Sequence, residues 1–134
     1  MSSELDLNIF PHGQKPGSLE LAFVGDAVYE LFVRAQLTLK GGKANALSDL
    51  TVAKVRASAQ AASLARVLPV LTDDEKAIVR RARNAKQTPP KHADPVDYHD
   101  ATALEAVMGY LYLTQQTGRL NELLRLAADM EGNL

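Results

Sequence analysis

Apolar side chains recur along this chain at intervals of three and four residues, the spacing that places them on one face of a helix. The first such stretch begins after Pro16-Gly17, and Ser18 is its predicted N-cap. It runs to about Lys40 and ends at a pair of glycines. Its predicted buried stripe consists of Leu21, Val24, Val28, Leu31, Phe32 and Ala35.

The rest of the chain predicts further helices and no strand, because no segment alternates strictly between apolar and polar residues. One helical stretch covers roughly residues 45–68, and Ser48 is a candidate cap for a break within it. Thr72 and Glu75 have the spacing of a capping box and predict the start of the next helix. The longest apolar helix is predicted over about residues 98–117, and after Gly118 a last helix covers residues 120–130. The predicted fold class is therefore all-α.

Length and composition fit one compact domain. Of the 134 residues, 46% are hydrophobic and 23% are charged, so we expect a globular core and a single domain over residues 1–134. Residues 1–17 are expected to form a loosely ordered N-terminal segment. The absence of cysteine excludes a disulfide scaffold, a thiol nucleophile and a thiolate metal site. Because no apolar run is long enough to span a membrane and no secretory leader is recognisable, we expect a cytoplasmic protein.

The net charge of −1 conceals an uneven distribution of charge along the chain. Residues 54–91 carry nine basic and three acidic side chains, whereas the segments on either side are acidic. A solvated helix face is the commoner explanation of such a block, and a surface that binds a polyanion is the alternative. Because no aromatic residues are interleaved with the basic ones, a duplex fits such a surface better than a single strand. The candidate phosphate contacts are Arg80, Arg81, Arg83, Asn84, Lys86 and Lys91, while the roles of Lys54 and Arg56 stay open.

Two carboxylates occupy unusual positions on the predicted helices. Glu105 is the only charged residue between Ala101 and Gly118, and it lies at the flank of an apolar stripe. Asp26 follows Gly25 within the first helix, where both residue types are poor helix formers. Each alone is most simply a solvated or ion-paired residue. Carboxylates from two helices also form a minimal oxygen site for Mg²⁺, but their spacing leaves open whether they meet.

Three motifs, in order, resemble the endonuclease domain of the ribonuclease III family. Residues Glu20 to Ala27 (ELAFVGDA) are similar to the signature helix of that domain, and Thr102 to Gly109 (TALEAVMG) to its second acidic helix. Between them, Arg81 to Lys86 (RARNAK) resembles the basic segment of the Mini-ribonuclease III branch. The similarity runs from about Ser18 to Leu124. Larger members carry extra carboxylates where this chain has Ala22 and Thr102, and the Mini branch lacks them too.

The resemblance implies a helical bundle with Asp26 and Glu105 as catalytic residues that hold Mg²⁺, for which Mn²⁺ is a possible substitute. Water would fill the remaining positions around the metal. Glu30 would orient one of these waters, or else simply pair with Arg34 one turn later. Thr102 would hydrogen-bond a ligand or a water, or else pack. Hydrolysis of the RNA backbone would leave a 5′-phosphate.

The resemblance also implies a homodimer that cleaves double-stranded RNA, as in trimming of large-subunit ribosomal RNA precursors, with ribosomal proteins as possible assistants. Because the chain ends at Leu134, we expect the catalytic domain to hold RNA without an appended binding domain, through the basic block. The stripe of Leu104, Val107, Met108 and Leu111 is either a dimer face or intramolecular core. The alternative functions are a catalytically inactive RNA-binding module with the same fold and, less favoured, a helical assembly protein.

Overall fold

The computed structural model describes residues 16–129, and within them the regular structure is helical. The helices are α1 (Ser18–Leu39), α2 (Ala44–Val55), α3 (Ala57–Val67), α4 (Asp73–Arg83), α5 (Pro95–Leu113) and α6 (Thr117–Ala128), with a short 3-10 turn at Leu68–Val70. The all-α prediction is confirmed for this part of the chain. No helix in it is long and apolar enough to cross a membrane. Residues 1–15 of the expected N-terminal segment, and Met130, lie outside the described residues.

The centre of the bundle is α5, which packs against α1, α3, α4 and α6. Nine of its residues are buried, because apolar or small side chains occupy nearly every position from Ala101 to Leu111. The stripe of Leu104, Val107, Met108 and Leu111 is at most 1% exposed within one chain. It is therefore intramolecular core, and the alternative that it forms a dimer face is wrong.

The buried face of α1 differs from the predicted stripe. Leu21 is buried as expected, but Leu31 is 69% exposed and Ala35 is also exposed. The buried positions recur every fourth residue instead, at Leu21, Gly25, Tyr29, Val33 and Leu37. Val28 and Phe32 of the predicted stripe are partly buried against the core, so the prediction was right for part of the stripe and wrong for Leu31 and Ala35. It counted bulky apolar residues, whereas α1 approaches α5 along the side that carries a glycine.

Two predicted helix boundaries also need correction. The stretch predicted over residues 45–68 is two helices, and the break lies at Arg56 rather than at Ser48. Arg56 has an extended backbone (φ −64°, ψ 157°) that no α-helix can contain. At the start of α1, Gly17 rather than Ser18 is the N-cap residue.

The long apolar helix begins at Pro95, three residues earlier than predicted. Asp94 caps it, because its side chain accepts hydrogen bonds from the backbone N–H groups of Val96 (2.8 Å) and Asp97 (3.1 Å). An aspartate followed by proline at the first helical position is a common helix start, so the signal was present in the sequence. The helix ends at Leu113 rather than near Thr117, so Gly118 does not end it but lies in the first turn of α6.

The predicted capping box of α4 is confirmed. The Thr72 side chain accepts from the backbone N–H of Glu75 at 3.2 Å, and the Glu75 carboxylate accepts from that of Thr72 at 2.9 Å. Glu75 is only 3% exposed and also pairs with Arg119 on α6, at 2.8 Å. Because Arg119 further donates to the carbonyl of Val70, this cluster joins the start of α4 to α6.

Candidate active site

The site begins with the close crossing of α1 and α5. A Cβ atom at Gly25 would lie 1.6 Å from the carbonyl oxygen of Glu105, and one at Gly109 would lie 1.9 Å from that of Leu21. Both distances are far below van der Waals contact, so only glycine allows the two backbones to lie this close. Asp26 and Glu105 belong to the segments that touch. The crossing therefore brings to one place the two carboxylates that the sequence singled out.

Both carboxylates line a single pocket of about 450 Å³. Its wall comes from four of the helices and the loop after α4, and it includes Ala22, Phe23, Asp26, Val55, Gln60, Gln87, Tyr98, Thr102 and Glu105. Asp26 is exposed and Glu105 is half-buried. Among the described residues that line the pocket there is no lysine, arginine or histidine. Two acidic groups thus meet in a pocket whose described lining has no cation.

The electrostatics of Glu105 follow from this arrangement. Burial raises the pKa of the Glu105 carboxyl, and the charge of Asp26 together with a hydrogen bond to it raises the pKa further, to about 8. A hydrogen bond from Gln60 acts in the opposite direction. Desolvation and a neighbouring like charge both disfavour ionisation. The site therefore favours a positive partner that the described residues do not supply.

A divalent metal ion fits this donor set. Carboxylate oxygens are the ligands that small hard cations such as Mg²⁺ prefer, and Mg²⁺ keeps several waters when the protein provides only one or two carboxylates. Within residues 16–129, no group of three or more His, Cys, Asp or Glu side chains could hold a metal. The residues present thus provide Asp26 and Glu105 and leave the other positions to water.

Gln60 is the residue of the site that the sequence analysis missed. Although polar, it is 2% exposed, and its Nε2 donates to Glu105 Oε2 at 3.3 Å and to the carbonyl of Val55 at 2.7 Å. It lies in the alanine-rich α3, where nothing in the local pattern marks it. Its contact with Glu105 depends on how α3 packs against α5, so no sequence signal could have found it.

The two further residues proposed near the metal have local partners. Glu30 pairs with Arg34 at 2.7 Å, which is the second of the two alternatives raised from the sequence. Thr102 is 5% exposed and its hydroxyl donates to the carbonyl of Tyr98 at 3.1 Å, so it packs within α5. Thr102 lines the pocket, whereas Glu30 is not among the lining residues.

The candidate phosphate contacts all lie on the surface. Arg80, Arg81, Arg83, Asn84, Lys86 and Lys91 are exposed, at the end of α4 and in the loop after it. Arg83 pairs with Asp100 of α5 at 2.7 Å, which fixes the end of α4 to the helix that carries Glu105. Four residues later, Gln87 reaches the pocket wall. The basic segment thus ends at the edge of the carboxylate pocket.

Lys54 and Arg56 differ from each other. The Lys54 ammonium donates to the carbonyl of Ala128 at 3.1 Å, so it satisfies the C-terminal end of α6. Arg66 serves the same end, since it donates to the carbonyls of Leu126 and Ala127. Arg56 is exposed at the break between α2 and α3. Of the two, Lys54 therefore has a structural partner.

Comparison with known proteins gives one consistent result. The chain matches the Ribonuclease III domain over residues 19–116. A curated protein of Symbiobacterium thermophilum named Mini-ribonuclease 3 is 49% identical over 113 residues, which are 83% of this chain and 87% of that one. A Mini-ribonuclease 3 of a Thermoanaerobacter species is 44% identical, and the match covers 84% of this chain and 80% of that one.

A crystal structure of a protein from Fusobacterium nucleatum is similar as well, with a TM-score of 0.76 at 33% sequence identity. The match covers 81% of this chain and 90% of that one. The domain match includes both helices that cross at their glycines, and therefore both carboxylates. Sequence and fold thus confirm the resemblance drawn from the three motifs. The chain belongs to the ribonuclease III family, in its Mini-ribonuclease III branch, and is an endoribonuclease.

Proposed function

We propose that this endoribonuclease cleaves double-stranded RNA, with Asp26 and Glu105 as the catalytic carboxylates that hold a divalent metal ion. The ion we propose is Mg²⁺, with Mn²⁺ as a substitute. The observation that carries the proposal is the meeting of the two carboxylates in one pocket whose described lining has no cationic side chain. The family's general dependence on divalent metals and its action on duplex RNA agree with this chemistry.

The chain's own contribution is to fix the acidic groups in place. A bound Mg²⁺ supplies Lewis-acid chemistry, lowering the pKa of a coordinated water and neutralising charge on phosphate oxygens. Asp26 and Glu105 hold their positions because each belongs to a long helix and the two helices touch backbone to backbone at Gly25 and Gly109. In the reaction, water forms the new bond to phosphorus, the bond from phosphorus to the 3′ oxygen breaks, and that oxygen takes a proton. The products carry a 5′-phosphate and a 3′-hydroxyl.

We assign RNA binding to the basic residues at the end of α4 and in the loop after it. We propose that Arg80, Arg81, Arg83, Asn84, Lys86 and Lys91 contact the RNA backbone. Guanidinium groups match phosphate oxygens in a bidentate manner, and an A-form duplex presents phosphates and 2′-hydroxyls across its wide minor groove. Because binding of this kind releases counterions, affinity falls steeply as salt concentration rises.

A homodimer is part of the proposal. Leu19 and Phe23 lie one helical turn apart on α1, are 38% and 82% exposed, and both line the pocket. An apolar surface of this kind beside the carboxylates suits contact with a second copy. Two copies also give one site for each strand of the duplex. Sedimentation of wild type and of Phe23→Ser tests this, because the substitution is expected to shift the protein toward a monomer.

The biological setting rests on the resemblance to the Mini-ribonuclease III branch. It comprises a large-subunit ribosomal RNA precursor as substrate, ribosomal-protein assistance in presenting it, and a cytoplasmic location. Residues 1–134 would act as a single catalytic domain. Transcripts that span the two ends of the precursor stem, incubated with and without its ribosomal proteins, test the choice of substrate.

The central experiment is a cleavage assay on a labelled RNA duplex, with Mg²⁺ or with EDTA. Wild type should cleave only with the metal, and Asp26→Asn should remain intact as a folded protein but lose cleavage. Undiminished cleavage by Asp26→Asn would remove this residue from the site. Binding without cleavage, across several duplexes and metals, would instead support the inactive RNA-binding module, which the family membership and the paired carboxylates now disfavour.

A further inference from the structure

We propose that Gln60 is a positioning residue for Glu105: its buried amide holds one carboxylate oxygen so that the carboxylate stays directed at the pocket shared with Asp26. The inference deepens the proposed function and rests on it, because it takes Glu105 as a metal ligand. Nothing in the basic segment or in the capping residues carries out this task. The contact comes from α3, one of the four helices that line the pocket.

The Gln60 amide makes two hydrogen bonds of different length, one to the main chain and one to Glu105. Nε2 of Gln60 lies 2.7 Å from the carbonyl oxygen of Val55 and 3.3 Å from Glu105 Oε2. The shorter bond goes to the main chain, which has little freedom to move. The amide is therefore fixed from the backbone side, and its second N–H is directed at the carboxylate.

The anchor exists because of the break between α2 and α3. The last carbonyl groups of a helix have no partner within it, and the extended backbone at Arg56 ends α2 at Val55. Gln60, one turn into α3, supplies a donor to that end. A helix junction and an acidic group are thus linked by one side chain.

The other half of the amide shows that packing alone does not account for Gln60. Its Oε1 is buried and has no hydrogen-bond partner among the described residues. A buried acceptor without a partner destabilises a fold, and this cost opposes the gain from the bond to the Val55 carbonyl. An apolar side chain of the same length avoids the cost but lacks both donors, the one to Val55 and the one to Glu105.

The test measures metal binding without RNA. In electron paramagnetic resonance titrations with Mn²⁺, Gln60→Met is expected to bind the ion about 10- to 100-fold more weakly than wild type, the usual effect of removing a partner of a metal ligand. Circular dichroism at the helix band should show a melting temperature close to that of wild type, because removal of the orphaned acceptor offsets loss of the bond to the Val55 carbonyl. Cleavage of a duplex at subsaturating Mg²⁺ should fall with the affinity.

Ser63→Ala is the matched control. Ser63 lies one turn further along α3, is equally buried, and bonds to the Tyr29 hydroxyl at 3.1 Å rather than to a carboxylate. It should lower the melting temperature and leave Mn²⁺ affinity unchanged. If Gln60→Met lowers the melting temperature but binds Mn²⁺ like wild type, Gln60 only stabilises the junction of α2 with α3, and the inference is overturned.

A measurement on the wild type covers the case in which Gln60→Met does not fold. The side-chain amide signals of Gln60 in a ¹H–¹⁵N spectrum should shift on addition of Mg²⁺, and their failure to shift while Glu105 responds would overturn the inference. A different result would contradict the proposed function itself: Asp26→Asn that binds Mn²⁺ and cleaves RNA like wild type. If Asp26→Asn loses both and Gln60→Met loses neither, only the role of Gln60 is wrong.

Discussion

Two glutamates of this bundle are withdrawn from solvent, and their surroundings are opposite. Glu75, at the start of α4, is 3% exposed and accepts hydrogen bonds from Thr72 and Arg119. Glu105, in the middle of α5, faces Asp26 and accepts from the neutral amide of Gln60. One carboxylate has a cation and the other has a second carboxylate.

The pKa values of the two groups differ accordingly. Burial raises the pKa of Glu75, but hydrogen bonds and charge from Arg119, with hydrogen bonds from Thr72, outweigh burial and leave the pKa below its usual range. For Glu105, burial and Asp26 act in the same direction and raise the pKa to about 8. Glu75 thus joins α4 to α6 through its ion pair with Arg119, whereas no cationic side chain among the described residues lines the pocket of Glu105. A strongly perturbed carboxyl of this second kind is a candidate for ligand binding.

Glu105→Gln is expected to lower activity strongly and to raise stability. Cleavage of an RNA duplex should fall by about 100-fold or more, the scale on which loss of a group that stabilises transition-state charge is felt. Without metal, the free energy of unfolding should rise by about 1–2 kcal/mol, because a carboxyl with a raised pKa opposes folding when it ionises.

The stability difference between wild type and Glu105→Gln should depend on pH. Since the folded pKa lies above the unfolded one, the contribution of Glu105 is favourable below pH 4.5 and is lost as pH rises through about 8. Thermal melts in EDTA should therefore separate wild type from Glu105→Gln at pH 8.5 more than at pH 5. Equal separation at both pH values would contradict the raised pKa.

Gly25→Ala tests the comparison by separating Asp26 from Glu105, because Gly25 lies at the contact of α1 with α5 and not near Glu75. The added methyl would overlap the backbone of Glu105, so α1 and α5 must move apart and the free energy of unfolding should fall by about 3 kcal/mol or more. Cleavage should be lost even where the protein is folded. Gly118→Ala is the control: its methyl meets nothing within 4 Å, and it should stabilise α6 by up to about 1 kcal/mol.

Glu75→Gln should act on stability alone. Removing the charge leaves Arg119, which also pairs with Glu122, without its buried partner, and we expect a loss of about 2 kcal/mol, reduced because Arg119 is partly exposed. Cleavage at a temperature where the variant is folded should match wild type. Because the pKa of Glu75 is lowered, the wild-type advantage should vanish as pH falls below the usual glutamate range. A loss of cleavage in the folded variant would contradict the division between the two glutamates.

The smallest effect is expected from substitution of arginines in the basic segment, where an arginine with an ion pair can again be compared with one that has none. Arg83 pairs with Asp100, whereas Arg81 is exposed and has no ion pair among the described residues. Arg81→Ala should weaken duplex binding a few-fold and reduce the slope of log affinity against log salt by about 1. Arg83→Ala should change this slope less, because part of the arginine charge is already neutralised, and should lower the melting temperature instead. Equal slopes for both variants would show that the ion pair does not matter for RNA.

Much of the fold was available from local signals. The capping box at Thr72 and the end of α1 near Lys40 were both predicted, because caps and glycines act on the backbone within one turn. The start of α5 was missed although Asp94 and Pro95 signal it. The buried face of α1 was predicted only in part, since which side faces α5 depends on Gly25, where the absence of a side chain decides the packing.

The candidate site divides in the same manner. Asp26 and Glu105 stood out in the sequence because charge and glycine are unusual at those helical positions, and the resemblance joined them. Gln60 did not, since its partners are five and forty-five residues away along the chain. The assignment of Leu104 and its neighbours to the core also needed the helices around α5.

By itself, the sequence determined that this protein is a helical member of the ribonuclease III family, with two acidic helices and a basic segment between them. Helix periodicity and caps are local properties, and the family motifs are contiguous. Only the tertiary structure decided that the two carboxylates meet without a cation among the described residues, that Gln60 donates to one of them, and that Glu75 pairs with Arg119. These outcomes depend on distances between helices that are far apart along the chain, such as the close contact of α1 with α5 at Gly25 and Gly109.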